Sequence, residues 1–565
     1  MDDNIGRVRE TDADAPDLFD IVIVGAGSAG CVLANRLSED PAVRVCLIEA
    51  GPRDRNPLIH VPLGFLALYQ HRRLNWRFWS SPQDGASGRS IYIPRGRTLG
   101  GSSAINGMVY MRGHAGDYDD WAAGGARGWA YRDVLPYFTR SENNERWRHS
   151  PYHGTGGLLN VTDPDAVNPL VETFFAAAAA RRIPHCPDFN IPCPDGYGLR
   201  QLNQRNGRRE SAATAFLAPV LGRRNLTVLT DGQVRRILLE DRRAVGVELS
   251  VAGGAVRRIG ARREVVLAAG SIGSPAILMH SGIGDGGMLA AAGVPLVHAL
   301  PGVGRNYQDH VCAEVRFSSP VAASYGVSWR SLPRVAGGLA QYALFRRGFL
   351  TSTLIYGSAF LRSDPALDRP DIQLVFLPAR RPARGMIAFG HGYGVIPIVL
   401  RPKSRGSITL ASPDPLAPPR IDPRFLSAED DLERLLKAVR IGRDLLYAPA
   451  FDRYRGEELA PGPAVQEPDA LRRFIRDTLG TAQHPVGTCA MGSGPDTVVD
   501  PQLRVHGIAG LRVADASVMP TLIGGNTNAP VTMIAEKAAD LIRGRSLPPA
   551  DLPADIPAPV AAGPY

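Results

Sequence analysis

The feature that most constrains the fold of this chain is a glycine turn between a predicted strand and a predicted helix. The segment FDIVIVGAGSAGCVLANRL, residues 19–37, has a β-branched apolar run, then Gly25-x-Gly27-x-x-Gly30, then an amphipathic pattern. A second apolar run, Val43–Glu49, predicts another strand. Together the two strands and the helix between them are predicted to form a βαβ unit. Such a unit is typical of a Rossmann-like α/β domain built on a parallel sheet.

The spacing of these glycines indicates a dinucleotide site. Gly25 makes the tight turn, Gly27 and the adjacent Ser28 let the helix N-terminus approach a pyrophosphate, and Gly30 permits close helix–strand packing. Glu49 lies nineteen residues beyond Gly30, where its carboxylate can accept bonds from both ribose hydroxyls and would repel a 2′-phosphate. The pattern favours an adenosine diphosphate moiety over NADP, but it does not separate FAD from NAD.

Composition and charge argue against several other classes of protein. The 565-residue chain has a formal net charge of +9, but its basic residues are scattered among acids, so nucleic acid is not an expected partner. Its six cysteines have irregular spacings and no Cys-x-x-Cys pair, which indicates neither a disulfide framework nor a metal site. No apolar run suits a signal peptide or a membrane span, and a cytoplasmic location is therefore expected.

Longer motifs resemble the glucose–methanol–choline (GMC) oxidoreductases. GRTLGGSSAIN, residues 96–106, and GSIGSPAILMHSGIG, residues 270–284, resemble the two signatures of that family. LPGVGRNYQDH, residues 300–310, and LRVADASVMPTLIGGNTNAPVTMIAEKAADLI, residues 511–542, resemble its later blocks. The resemblance extends from about residue 18 to residue 545. It implies a flavoprotein dehydrogenase or oxidase that acts on the CH–OH group of an alcohol.

The resemblance also implies the fold class and the domains. The expected fold is α/β, with an FAD-binding Rossmann-like domain and an α+β substrate domain that carries an antiparallel sheet. The predicted FAD-binding domain comprises residues 17–165, 215–310 and 505–545. The predicted substrate domain comprises residues 166–214 and 311–504. The Pro/Ala-rich tail, residues 546–565, is predicted to be disordered.

Further FAD contacts follow from the same resemblance. The glycine loop of the first signature can bring backbone N–H and hydroxyl donors to an anionic or carbonyl-rich group. The candidates beyond the fingerprint are Arg97, Gly100, Gly101, Ser103, Asn106, Val234, Asp515, Ala516, Asn526 and Thr527. Some family members tether FAD through a histidine at the position of Ile105, so isoleucine there predicts non-covalent FAD.

The segment TAQHPVGTCAMG, residues 481–492, allows three interpretations of His484: it forms a nucleophilic pair with Cys489, it is half of a metal site, or it is a general base. Nothing else resembles a hydrolase or a ligand cluster, so Cys489 is predicted to be a small buried residue. The family resemblance implies that His484 is the base and that Asn528 is its partner, donating to the developing alkoxide. Capping of the last helix is the alternative role of Asn528.

The substrate is predicted to be an uncharged primary alcohol. Choline-oxidising relatives carry a glutamate two residues after the Asp-His of the block at 308–310, where this chain has Cys312. Glu314 lies on the same predicted strand face and can partly substitute. The aromatic residues of the segment that shapes the pocket, for most of which a core role is expected, are Tyr325, Trp329, Phe345 and Tyr356.

Several alternatives stay open at this point. Within the same family, a cyanohydrin-type lyase would use His484 as a base without net redox chemistry. A light-driven fatty acid decarboxylase is a second alternative. Oxygen, a quinone or a soluble carrier can each serve as the electron acceptor, and a homodimer is compatible with the sequence.

Overall fold

A computed structural model describes residues 5–7, 17–251, 254–380 and 389–552 of the chain. Two eight-stranded sheets organise these residues. None of the helices within these ranges is long and apolar enough to cross a membrane. The α-helices are Ser28–Leu37, Pro57–His60, Phe65–Leu68, Ala115–Ala123, Tyr131–Ser141, Pro169–Ala180, Gly270–His280, Gly286–Ala291, Leu332–Phe345, Glu429–Leu446, Pro468–Thr478 and Asn528–Ile542.

The first sheet contains the predicted βαβ unit. Its strands, in spatial order, are Ile5–Arg7, Leu226–Thr230, Val45–Ile48, Asp17–Val24, Val256–Leu267, Arg243–Ser250 and Gln233–Glu240, and Leu511–Val513 also pairs with Val256–Leu267. Ile21 pairs with Val45 in parallel register, and both residues are 1% exposed or less. Parallel strands covered on both faces require such apolar runs. All strands except Ile5–Arg7 lie within the three segments predicted for FAD binding.

The second sheet is antiparallel, as the α+β substrate domain predicts. Its main path is Glu458–Ala460, Val315–Ser318, Gly392–Val399, Ile372–Leu377, Gly357–Leu361 and Gly196–Leu199. Val311–Cys312 pairs with both Gly392–Val399 and Gly480–Thr481. A buried apolar cluster joins one face to the helices Pro169–Ala180 and Glu429–Leu446. A smaller cluster joins Phe360 and Leu400 to Val109, which belongs to the cavity described below.

The last helix brings distant parts of the chain together. Asn528–Ile542 packs against Ser28–Leu37, and the N-termini of both helices reach the same place. There Ser28 Oγ donates to Asn528 Oδ1 at 2.7 Å. Residues 500 positions apart thus meet at the carboxyl end of the strand Asp17–Val24, where α/β sheets bind ligands.

The prediction of a disordered tail is corrected for residues 546–552. The backbone N–H of Leu547 donates to Tyr137 Oη at 2.9 Å, and Leu552 packs against the main apolar core. Apolar residues between the prolines give this stretch enough surface to dock, which overrides the compositional signal. The remaining tail, 553–565, lies outside the described residues.

Candidate active site

A cavity of about 490 Å³ lies at the carboxyl ends of the strands Asp17–Val24 and Val45–Ile48, and the loop after the strand Gly480–Thr481 forms part of its wall. Its volume falls within the range of small-molecule and cofactor sites. The predicted site residues in its wall are Gly25, Gly27, Ser28, Glu49, Gly101, Asn106, Val234, His484, Asp515, Ala516, Asn526, Thr527 and Asn528. Ile105 is also in the wall, and its hydrocarbon side chain offers no nucleophile for a covalent tether.

The glycine turn is shaped to admit a phosphate group. Gly25 has a φ of +98°, and a Cβ added there would lie 2.6 Å from Ala268 O. A Cβ on Gly30 would lie 1.8 Å from Gly25 O, so this position requires glycine for packing. A Cβ on Gly27 would meet only Gly101 Cα within 4.0 Å and would otherwise project into open space. The turn therefore leaves room beside the helix N-terminus, as a bound pyrophosphate requires.

Glu49 is held in position at the end of its strand. Its Oε2 accepts from Ala26 N at 2.9 Å, and its Oε1 accepts from Gly51 N at 2.9 Å. Burial raises the pKa of Glu49 to about 7, although both N–H bonds and the Arg97 charge oppose the shift. Each carboxylate oxygen keeps a lone pair for another donor, such as a ribose hydroxyl. The residues at this end of the cavity therefore fit the adenosine part of FAD.

Four predicted FAD contacts stand behind the cavity wall instead of lining it: Gly30, Arg97, Gly100 and Ser103. Gly100 N donates to Ala26 O at 2.8 Å, and Ser103 Oγ donates to Gly100 O at 2.6 Å. The Arg97 guanidinium lies 4.7 Å from the ring centroid of Trp76, which does line the cavity. Gly100 and Ser103 shape the signature loop, Gly30 shapes the glycine turn, and contact of these four residues with the cofactor stays a prediction.

Asp515 links the last strand of the first sheet to a helix that opens at the cavity. Its Oδ2 accepts from Gly270 N at 2.8 Å and from Ser274 Oγ at 2.6 Å, and its Oδ1 accepts from Ser517 N at 2.8 Å. Burial raises the pKa of Asp515, against these bonds. The carboxylate therefore holds the start of the helix Gly270–His280 against the cavity wall.

The carboxylate of Asp309 holds the backbone of His484. The backbone N–H of His484 donates to Asp309 Oδ1 at 2.7 Å, and Asp309 Oδ2 accepts from Thr481 Oγ1 at 2.5 Å. Burial raises the pKa of Asp309 to about 6, while Thr481, Arg95 and the His484 N–H oppose that shift. Because the carboxylate bridges both ends of a short loop, the imidazole enters the cavity at a defined angle.

A chain of hydrogen bonds determines the tautomer of His484. His310 Nε2 is 2.9 Å from Leu400 O, and since a carbonyl only accepts, Nε2 carries the hydrogen. Burial lowers the pKa of His310 to about 4, so its ring is neutral and its Nδ1 accepts. His484 Nδ1, at 2.9 Å from that atom, must then donate. This leaves the lone pair of His484 on Nε2, where Asn526 Nδ2 donates at 2.9 Å.

The electrostatic surroundings keep His484 neutral. Burial, followed by His310, Arg95 and Arg200, lowers its pKa well below the ordinary 6.5. Arg200 is only 2% exposed, and within the described chain its Nε and Nη2 have no hydrogen-bond partner. Burial lowers the pKa of Arg200 to about 9, so the guanidinium is still a cation at neutral pH. An uncompensated buried charge of this kind strongly disfavours a second positive charge nearby.

The predicted pairing of His484 with Asn528 is replaced by a pairing with Asn526. Thr527 is the N-cap residue of the last helix, Asn528 is its first residue, and Pro530 lies in its first turn. At that position the Asn528 side chain turns toward Ser28 on the neighbouring helix. Asn526 still lies in the loop and therefore reaches the imidazole. Asn528 therefore neither caps the last helix nor contacts His484.

Three residues of this network had no predicted role. His310 belongs to the family-like block at residues 300–310, but only the fold brings it to His484. Arg95 and Arg200 carry no local signal for an effect on a residue far along the chain.

Cys489 is fully buried, as predicted, and burial raises the pKa of its thiol well above the ordinary range. A thiol in that state is not a nucleophile.

Sequence comparisons point to one family. Two models of the GMC oxidoreductases match residues 19–312 and 402–535. The chain is 44% identical over 528 residues to an alcohol dehydrogenase (acceptor) from Pseudomonas putida, covering 93% of this chain and 96% of that protein. It is 43% identical over 532 residues to an oxygen-dependent choline dehydrogenase from Brucella canis, with coverage of 93% and 96%.

Solved structures agree in fold. Pyridoxine 4-oxidase from Mesorbium loti superposes with a TM-score of 0.85 at 35% identity, covering 94% of this chain and 100% of that chain. An FAD-dependent oxidoreductase from Chaetomium thermophilum superposes with a TM-score of 0.85 at 28% identity, covering 93% and 99%. With the fit of the cavity to a dinucleotide, these findings confirm the prediction of an FAD-dependent oxidoreductase acting on CH–OH groups. The chain belongs to the GMC oxidoreductase family.

Proposed function

We propose that the protein oxidises an uncharged primary alcohol to an aldehyde, with His484 Nε2 as the general base. The observation that carries this proposal is the hydrogen-bond chain from Leu400 O through His310, which leaves an unprotonated nitrogen facing the cavity. A neutral imidazole within reach of a hydroxyl lowers the barrier to its deprotonation. The chemistry that FAD supplies when bound is acceptance of the hydride from the alcohol carbon.

Two further features of the chain favour the developing alkoxide. The amide of Asn526 can turn its N–H from His484 Nε2 to the substrate oxygen and stays neutral at every working pH. The last helix begins at Asn528 in the cavity wall, so the positive end of its dipole faces the reacting region. Both groups favour negative charge without competing for the proton.

The charges of the cavity support a neutral substrate over choline. Among its lining residues in the described chain, the only carboxylates are Glu49 and Asp515, and both already accept backbone N–H bonds. Cys312 and Glu314 are absent from that lining, and Glu314 Oε2 lies 3.8 Å from Arg316 Nε. A quaternary ammonium in the cavity would therefore find no carboxylate free to pair with it among the described lining residues.

Choline is nevertheless the second candidate, because aromatic rings also line the cavity. Phe65 and Tyr69 contribute aromatic rings of the kind that can bind a quaternary ammonium. The Arg97 guanidinium over Trp76 already places one cation on that ring. The choline dehydrogenase relative from Brucella canis gives this candidate further support.

Anaerobic mixing of the holoenzyme with a panel of alcohols tests the proposal. We expect the visible band of oxidised flavin to bleach in darkness with primary alcohols, because hydride acceptance reduces the flavin. The panel includes choline and its neutral isostere 3,3-dimethylbutan-1-ol, and the isostere should reduce the flavin at least as fast. Faster reduction by choline would favour the second candidate. Failure of all alcohols to bleach the flavin would favour the lyase, and turnover of a fatty acid only in light would favour the decarboxylase.

The buried charge of Arg200 predicts a pH effect. Arg200→Met removes one cause of the lowered pKa of His484, so the acid limb of the flavin-reduction rate should move to higher pH. The sign follows because only the neutral imidazole acts as a base, and a raised pKa protonates it at a higher pH. Rate constants for reduction measured across the acidic range give this limb. Arg200→Lys keeps the charge and should retain the wild-type limb; an unmoved limb in Arg200→Met contradicts the prediction.

A further inference from the structure

Away from the cavity, large apolar side chains are concentrated on one part of the surface. Fifteen large hydrophobic residues are exposed in the described chain, and seven of them lie on or beside the helix Leu332–Phe345. This apolar patch comprises Val327, Trp329, Leu332, Leu339, Leu344, Phe345 and Phe389. Trp329 is 79% exposed and Phe345 is 68% exposed, so neither has the core or pocket role expected from sequence. Monomeric proteins rarely leave such a cluster open to water unless it binds something.

The patch is centred on one helix that barely touches the rest of the protein. Of the helix Leu332–Phe345, only Gly338 and Tyr342 are buried. The contact is made by Phe349, whose ring would be only 2.2 Å from a Cβ on Gly338. Trp329 packs edge-on against Phe389 with ring centroids 6.4 Å apart, which extends the patch beside the helix. Arg334 adds hydrogen bonds to Ala322 O and Ser324 O, at 3.3 and 2.8 Å, but these cover none of the exposed apolar side chains. An apolar helix attached in this way lacks the apolar partner that its composition requires.

The charge around the patch is mostly positive. Residues 315–363 contain no aspartate or glutamate, and six arginines. Arg334, Arg346 and Arg347 are exposed on or beside the helix. One acid from elsewhere, Asp165, accepts from Gly348 N at 3.3 Å beyond the helix end. The surface is therefore apolar at its centre and cationic at its rim.

We propose that the helix Leu332–Phe345 and the apolar patch dock on the surface of an anionic lipid bilayer. Exposed Leu, Phe and Trp side chains with flanking arginines are the features of an interfacial helix, which inserts its apolar side chains and leaves the cations at the headgroups. A second copy of the chain is the less suitable partner, because symmetric pairing of the patch would oppose the same arginines. At 14 residues, the helix is too short to span the bilayer.

Docking there would bring one wall of the cavity close to the membrane. Phe349 contacts Tyr325 with ring centroids 6.5 Å apart, and Tyr325 packs on a small cluster with Phe65 and Ile355. Both Phe65 and Ile355 line the cavity. The path from the patch to the cavity is thus a few side chains long. The docking itself does not depend on which alcohol is oxidised.

Flotation of the full-length holoenzyme with vesicles tests the proposal. We expect the protein to float with equimolar phosphatidylcholine and phosphatidylglycerol, and to float at most weakly with phosphatidylcholine alone. The double variant Leu344→Glu and Phe345→Glu should partition about 100-fold less, since two large apolar side chains no longer enter the interface. The double variant Arg346→Gln and Arg347→Gln should lose about 30-fold, at roughly 1 kcal/mol for each arginine.

A matched control comes from another exposed apolar pair. Leu296 and Val297 are each 51% exposed and lie outside the patch, so Leu296→Glu with Val297→Glu should float like the wild type. Retained flavin colour checks that each variant is folded, and Leu339→Glu offers a second test within the helix. The proposal is overturned if the wild type floats with neither vesicle or if the control pair abolishes flotation. It is equally overturned if size-exclusion shows a dimer that Leu344→Glu with Phe345→Glu dissociates.

Discussion

Replacing His484 with alanine is expected to slow flavin reduction by alcohol about 10²–10⁴-fold, the range attributed to a positioned general base. The variant removes the nitrogen whose lone pair faces the cavity, while Asp309 can still accept the backbone N–H of residue 484. The loop should therefore keep its conformation, and FAD should remain bound. Stopped-flow absorbance under anaerobic conditions, at saturating alcohol, gives the rate constant for reduction. Added imidazole should restore part of this rate.

Cys489→Ala is the matched control for this variant. Cys489 lies five residues further along the same segment and is fully buried, outside the cavity wall. Its loss should leave the rate of flavin reduction close to that of the wild type. If His484→Ala reduced its flavin at the wild-type rate, or if Cys489→Ala were equally slow, the assignment of the base would be wrong.

The second largest effect is expected for Asn526→Ala, about 10²–10³-fold on the same rate constant. This is the range found when a preorganised donor to a developing oxyanion is removed, and Asn526 Nδ2 is the donor at 2.9 Å from His484 Nε2. Asn526→Asp should be slower still, because a carboxylate only accepts hydrogen bonds and repels the alkoxide. Single-turnover reduction of the bound flavin measures both variants.

Asn528→Ala separates the two asparagines. It removes the same side chain two positions further on, and with it the bond from Ser28. We expect less than about a tenfold effect on reduction, since one neutral hydrogen bond is lost, together with weaker retention of FAD. FAD release on dilution, followed by fluorescence, measures that retention. A larger rate effect from Asn528→Ala than from Asn526→Ala would restore the pairing predicted from sequence.

Local patterns in the chain predicted the βαβ unit and its glycine turn correctly. Gly25, Gly27 and Gly30 are neighbours in sequence, and their roles depend on φ and on close backbone approach, which residue type controls directly. The β-branched run before them forms the strand Asp17–Val24. Glu49 directly follows the carboxyl end of the neighbouring strand Val45–Ile48. Features fixed within one βαβ unit need no knowledge of the rest of the fold.

The region around the candidate base His484 was predicted only in part. Nothing in the segment NTNAP, residues 526–530, distinguishes Asn526 from Asn528. Their contacts depend on the residue at which the last helix begins and on the position of Ser28 in the neighbouring helix. Likewise, no pattern linked His310 to His484 across 174 residues, or showed that Arg200 is buried without an ion pair among the described residues. Exposure of Trp329 and Phe345 also escaped prediction, because an aromatic residue carries the same sequence signal in a core and in a patch.

The sequence by itself determined the fold class, the FAD fingerprint and His484 as the candidate base, since each rests on short motifs whose residue types dictate local geometry. The tertiary structure alone decided which asparagine faces that base, which tautomer it holds and which charges lower its pKa. Hydrogen bonds and Coulomb interactions act over a few ångströms of space, whatever the separation along the chain. Only the packed chain specifies which groups are that close.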